Sequence, residues 1–257
     1  MSTGRRWAAA AAATLAITGA ACGPKPVKPM LQPPMPPGVS WGRPANPAAP
    51  PAPASTGAAA VSEAALSIVP AMDARLRVGE RFTGVASYYG PEEQGRETAS
   101  GAVFDDRKLT AAHRTLPFGT RLRVTYPATG RSVIVTINDR GPFWPYRTLD
   151  LSLAAARRIG LYDHGLGQVE MEIIGLPRPL PDGRYTVQVG WFDSSRQLRA
   201  CRRLMRARAP YPVVAFHSSS GSWLRYDHDA SLDAAQAIRI VEDLRAHRYP
   251  AYVVRLN

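Results

Sequence analysis

Cysteine is nearly absent: the chain has two in 257 residues, Cys22 and Cys201. Two thiols so far apart support neither a disulfide framework nor a thiolate metal site, which needs ligand pairs at short spacing. The five histidines are scattered too, so no metal centre is expected. Neither a Gly-x-Ser-x-Gly elbow nor a glycine-rich phosphate loop occurs. Their absence removes the common hydrolase and nucleotide-binding signatures, and no cofactor or nucleotide is implied. Beyond the N-terminal segment no apolar run is long enough to span a bilayer. Lysine is scarce, and the net charge of +12 is carried almost entirely by arginine. Such a chain suits an anionic surface such as nucleic acid, phospholipid or cell-wall polymer, although genome composition alone also produces arginine without lysine.

What is present begins with an address. "MSTGRRWAAAAAATLAITGAAC" carries Arg5 and Arg6, a short apolar run, and the small residues Gly19, Ala20 and Ala21 directly before Cys22. That is the layout of a secretory signal over residues 1–22. Residues 23–78 are dominated by proline and alanine with almost no acid. They cannot bury enough apolar surface to fold, and read as a polyproline-like tether. At about 3 Å per residue the tether reaches on the order of 100 Å.

Patterned sequence follows. "FTGVASYYG" is a β-type run ended by Gly90, and "TRLRVTYPATGRSVIVTINDRG" reads as two strands around a turn at Ala128, Thr129 and Gly130. Val133, Val135 and Ile137 share one face and Ile134 and Thr136 the other, with both faces expected to be largely buried. "SLAAARRIG" predicts a short helix with Ser152 as N-cap and Gly160 just past its end. "GQVEMEIIG" returns as a strand, so residues 79–176 form one β-rich domain. A proline-rich linker over 177–183 leads to residues 184–257, which read strand, helix, strand twice over. Leu198, Cys201, Leu204 and Met205 share one face of the first helix, and the second is begun by Ser231. "YPVV" recurring as "YPAYVV" marks an internal duplication.

The blocks "GVASYYG", "GRETASGAVFD", "LTAAHRTLPFGTRLRVT", "GRSVIVTINDRGPF" and "LDLSLAAARRIG", in that order, resemble the double-psi β-barrel domain of the rare lipoprotein A family. The resemblance implies a six-stranded double-psi barrel, related in shape to expansins. It also implies endolytic cleavage of peptidoglycan strands between N-acetylmuramic acid and N-acetylglucosamine, leaving 1,6-anhydro ends. The segment from Tyr185 resembles the SPOR domain, a small βαββαβ unit whose sheet face grips glycan lacking stem peptides, which accumulates at the division septum. Tyr185, Val187, Gln188, Gly190 and Phe192 match its opening block. Cys22 resembles the acylated cysteine of bacterial lipoproteins, and Gly23 after it favours the outer membrane, facing the periplasm. An RNA-binding sheet has a similar strand order, but its glycine-aromatic signature is missing and nucleic acid is not an expected partner.

The resemblance puts the acid/base at Asp139 and a second active-site position at His113, with Thr98, Ser100 and Asp105 as pocket-lining groups and Gln188 and Phe192 as glycan contacts. A lytic transglycosylase needs a single carboxyl, because the sugar's own C6 hydroxyl is the nucleophile. That carboxyl must be desolvated to hold its proton near neutral pH. Arg140 opposes this if it points the same way, but neighbours in an extended segment face opposite sides. Locally, "NDRGP" also suits a turn-capping Asp. One departure matters: where the family has Glu after the glycine of "TASG", this chain has Ala102. Glu97 is a candidate replacement. A second reading therefore stands beside the enzyme, a wall-binding lipoprotein whose barrel holds glycan without cutting it, as an expansin does.

Overall fold

The computed structural model describes residues 76–144, 146–192, 194–218, 221–227 and 230–257. The signal segment, Cys22 and nearly all of the tether lie outside the described residues.

Six strands make the first domain: β1 (Arg81–Tyr88), β2 (Thr110–His113), β3 (Arg121–Tyr126), β4 (Arg131–Asp139), β5 (Arg147–Leu151) and β6 (Gly167–Gly175). They close into a barrel in the order β1-β5-β2-β4-β3-β6. β1 lies parallel to β5 and β2 parallel to β4, and the other four pairings are antiparallel. This is the double-psi arrangement. Period-two patterning drives it: Leu122 and Val124, Val133, Val135 and Ile137, and Val169, Met171 and Ile173 all point inward and are buried. Each such side chain contributes roughly 1.5–3 kcal/mol on leaving water. Outward-facing charges alternate with them, and Arg123 Nη1 reaches Glu172 Oε2 at 3.0 Å across the β3–β6 pair.

One expectation about β4 changes. Its outward residues are not buried: Ile134 is 39% exposed, because the closed barrel has a single dry side. Helix α1 (Leu153–Ile159) is capped as its sequence predicts, with Ser152 Oγ accepting from the Ala155 amide and Gly160 left-handed at φ 76°.

The second domain is a smaller α/β unit: β7 (Tyr185–Phe192), α2 (Ser195–Arg206), β8 (Val213–Ser218), β9 (Gly221–Tyr226), α3 (Ala234–Ala246) and β10 (Ala251–Arg255). Its antiparallel sheet runs β10-β7-β9-β8. Tyr185, Val187, Val189, Leu224 and Tyr226 face the helices, where Cys201, Met205, Val241 and Leu244 complete the core. Helix α3 begins later than expected. Its N-cap is Asp233, which exchanges hydrogen bonds with Gln236 in a capping box, while Leu232 is still bridged to Tyr185 in extended form.

The two domains meet through the segment after β4. Phe143 seats against Tyr252 and Val254 on the sheet face away from the helices, and the Arg255 amide donates to Arg114 O at 2.9 Å.

Candidate active site

Asp139 ends β4 on the same parity as Val133, Val135 and Ile137, and so inherits their inward direction and their burial. Tyr89, just past β1, donates its hydroxyl to Asp139 Oδ2 at 2.8 Å. The amides of Ala99 and Arg140 donate to Oδ1, each at 2.8 Å. Burial raises the Asp139 pKa above the ordinary carboxylate value, against the lowering pull of these three hydrogen bonds and of Arg140.

The Ala99 donor is held in place by the hairpin around it. Thr98 Oγ1 donates to Ala102 O at 3.0 Å and lies 3.0 Å from Ser100 Oγ, while the Ser100 amide reaches Asn138 O at 3.3 Å. Thr98 and Ser100 are therefore brought to Asp139 by the backbone. Asp105 is not: it pairs with Arg107 at 3.1 Å, which lowers its pKa. Ala102 is exposed on the hairpin, and Glu97 is exposed across the bridge to Val103.

His113 lies next to Ala112, the β2 partner of Asp139. Its Nδ1 accepts from the amides of Thr115 (3.2 Å) and Leu116 (3.1 Å), and its ring sits edge-on to Phe82. With Nδ1 an acceptor, the ring proton resides on Nε2. Burial first, then Arg114 and Arg140, push its pKa down to about 3, so the imidazole is neutral at ordinary pH.

A carboxyl that sequence reasoning missed is Glu93. It closes a short 3-10 turn, Pro91–Glu93, is 4% exposed, and has Arg96 Nε at 3.8 Å. Burial raises its pKa to about 7, opposed by Arg96, with Glu92 and Asp139 adding to the rise. In "GPEEQG" it reads as one of two solvated turn acids, and only the fold of residues 95–104 distinguishes it. Asp150, buried on β5, accepts from Arg147 at 2.7 Å and from Ser87, a structural ion pair.

In the second domain, Gln188 is buried on the sheet face away from the helices, with Oε1 unpartnered among the described residues. Phe192 is buried and lies beside Tyr249 in the helix-backed core. Neither is among the hydrogen-bond partners of Asp139, which are Tyr89, Ala99 and Arg140. No group of three or more His, Cys, Asp or Glu side chains among the described residues is placed to hold a metal ion.

A closed double-psi barrel with one desolvated, thrice hydrogen-bonded carboxyl at a strand end defines the class of this domain. A family model described as "Lytic transglycolase" matches residues 81–171. The "Probable endolytic peptidoglycan transglycosylase RlpA" of Synechocystis is 56% identical over 91 residues, 35% of this chain and 28% of that protein. The "Endolytic peptidoglycan transglycosylase RlpA" of Pseudomonas aeruginosa UCBPP-PA14 is 36% identical over 149 residues, 54% of this chain and 44% of that one. The barrel is similar in sequence to these RlpA proteins, and the chain covers less than half the length of either relative. Among solved structures, the Streptomyces papain inhibitor aligns at 24% identity with a TM-score of 0.33, over 38% of this chain and 97% of the other. A likeness that loose carries no functional meaning.

Proposed function

We propose that the barrel is a lytic transglycosylase acting on peptidoglycan strands that lack stem peptides. The observation that carries this reading is the burial of Asp139 on the inward face of β4, with its pKa raised. In its acid form Asp139 protonates the oxygen between N-acetylmuramic acid and N-acetylglucosamine. The C1–O4 bond breaks and the muramyl C6 oxygen bonds to C1. The carboxylate then takes the C6 hydroxyl proton, closing the 1,6-anhydro ring and restoring the acid. No water is consumed, and a single carboxyl serves both steps. Tyr89 and the Ala99 and Arg140 amides stabilise the carboxylate between the two transfers. Neutral His113 takes part as a hydrogen-bonding and positioning group. In the same reading Cys22 carries the lipid that tethers the protein at the outer membrane, and the second domain is a SPOR-like unit that brings it to denuded septal glycan.

Ala102 favours a second reading, glycan binding without cleavage. The hairpin beside Asp139 offers no carboxylate at that place, and Asp139 already shares both oxygens with protein donors. Incubating the purified protein with stem-peptide-free sacculi and analysing the soluble fraction by mass spectrometry separates the two. Release of 1,6-anhydro fragments supports the enzyme. Retention on the sacculi with no such fragments supports the binder.

A further inference from the structure

The seam between the domains holds a cleft of about 330 Å³ whose lining does not include Asp139 and which the mechanism does not use. Three guanidinium groups line it: Arg114 after β2, Arg147 at the start of β5, and Arg245 at the end of α3. One carboxylate answers them. Asp150 takes Arg147 Nη2 at 2.7 Å, and Arg114 Nη1 is spent on two carbonyls, Pro142 O at 2.6 Å and Arg147 O at 2.8 Å. Arg147 Nε is buried with no hydrogen-bond partner among the described residues. Buried donors of this kind ordinarily find an acceptor. Burial lowers the Arg114 pKa, Tyr252 and Asp150 work against that, and Arg245 and Arg147 lower it further, so both neighbouring guanidinium groups oppose the Arg114 charge. An anion placed among them relieves that opposition.

The walls are aromatic as well as basic. Tyr252 lies under the Arg114 guanidinium at 5.4 Å, and Trp144 continues to Trp191 of β7 at 6.2 Å. Tyr146 stands at the rim, 88% exposed, with its backbone left-handed at φ 67°. A non-glycine residue held there, with a large apolar ring in solvent, is a strained arrangement that structures retain at binding sites. Flat rings beside guanidinium donors match a sugar that carries an acid: the ring stacks, and the carboxylate takes paired N–H groups.

We propose that this cleft is a subsite for a carboxylate-bearing sugar unit of the glycan. The lactyl carboxylate of muramic acid is free only when the stem peptide has been removed, because the peptide is attached through it as an amide. The three arginines would thus select denuded strands by their charge. This deepens the glycan reading and rests on it, but needs no cleavage.

The test is equilibrium binding of the full chain to denuded glycan oligosaccharides, to the same oligosaccharides after methyl esterification, and to chitohexaose. The wild-type protein is expected to bind the acid form at least tenfold more tightly than the ester. Arg245→Gln, an exposed change, should remove that preference by weakening binding of the acid form more than binding of the ester. Tyr146→Ala should weaken acid and ester alike. Equal wild-type affinity for acid and ester, or an Arg245→Gln protein with its preference intact, overturns the proposal. So does displacement of the acid glycan by inorganic phosphate at matched ionic strength, which would make the cleft a general anion site. If charge-selective binding holds while no 1,6-anhydro product forms, the subsite stands and the enzymatic reading falls.

Discussion

Asp139 and Arg140 are adjacent in the chain, yet their side chains serve different structures. Asp139 turns into the barrel, to Tyr89 and the Ala99 amide, while the Arg140 guanidinium donates to Arg255 O at 2.6 Å and Leu116 O at 2.8 Å. The Arg140 guanidinium also stacks on Phe118 at 3.6 Å. Extended geometry turns the Arg140 guanidinium away from the carboxyl, whose pKa it still lowers, and spends it on docking the second domain. Arg140→Met keeps most of the apolar stem but leaves those carbonyls unpaired. It should cost on the order of 3 kcal/mol, read as a lower urea midpoint with faster hydrogen exchange along β10.

Tyr89 lowers the Asp139 pKa by donating to the carboxylate. Tyr89→Phe removes that donor, so the acid form persists to higher pH. The falling limb of the pH–rate profile should move to higher pH. A limb that stays in place would separate Asp139 from the titration that governs the rate.

Glu93 gives a stability signature with a definite sign. Its pKa is about 7 in the folded protein against an ordinary 4.5, so the folded state holds the extra proton. Stability contributed by the protonated form is full below about pH 4.5 and is lost as pH rises toward 7. Glu93→Gln should flatten this decline in urea midpoints measured across that window, and should be the more stable protein at pH 7.5.

β1 and β5 approach closely at Gly84, where a methyl group would lie 2.4 Å from Thr148 Oγ1. Gly84→Ala should therefore force the parallel pair apart and cost about 1–3 kcal/mol, seen as a lower melting temperature.

Much of this was readable in the residues. The alternation of Val133, Val135 and Ile137, carried two residues further, already directs Asp139 inward. Ser152 and Gly160 announce their helix by type and spacing. β2 is harder to see, because "TAAH" has weak strand propensity and is ordered by its neighbours β4 and β5. Glu93, the Arg140 contacts and the seam cleft depend on segments distant in sequence, so no local pattern announces them. Ser231 and Asp233 are both good caps, and only the bridge from Leu232 to Tyr185 decides that α3 starts at the second.

The central claim is that Asp139 gives and retrieves the proton. Asp139→Asn keeps the shape, an acceptor for the Ala99 and Arg140 amides, and a polar partner for Tyr89, so the barrel should remain folded by circular dichroism. Release of 1,6-anhydro fragments from stem-peptide-free sacculi, measured by mass spectrometry beside the wild-type protein, should fall by at least about 100-fold while retention on the sacculi is unchanged. Release by the Asn protein at the wild-type rate would contradict the account.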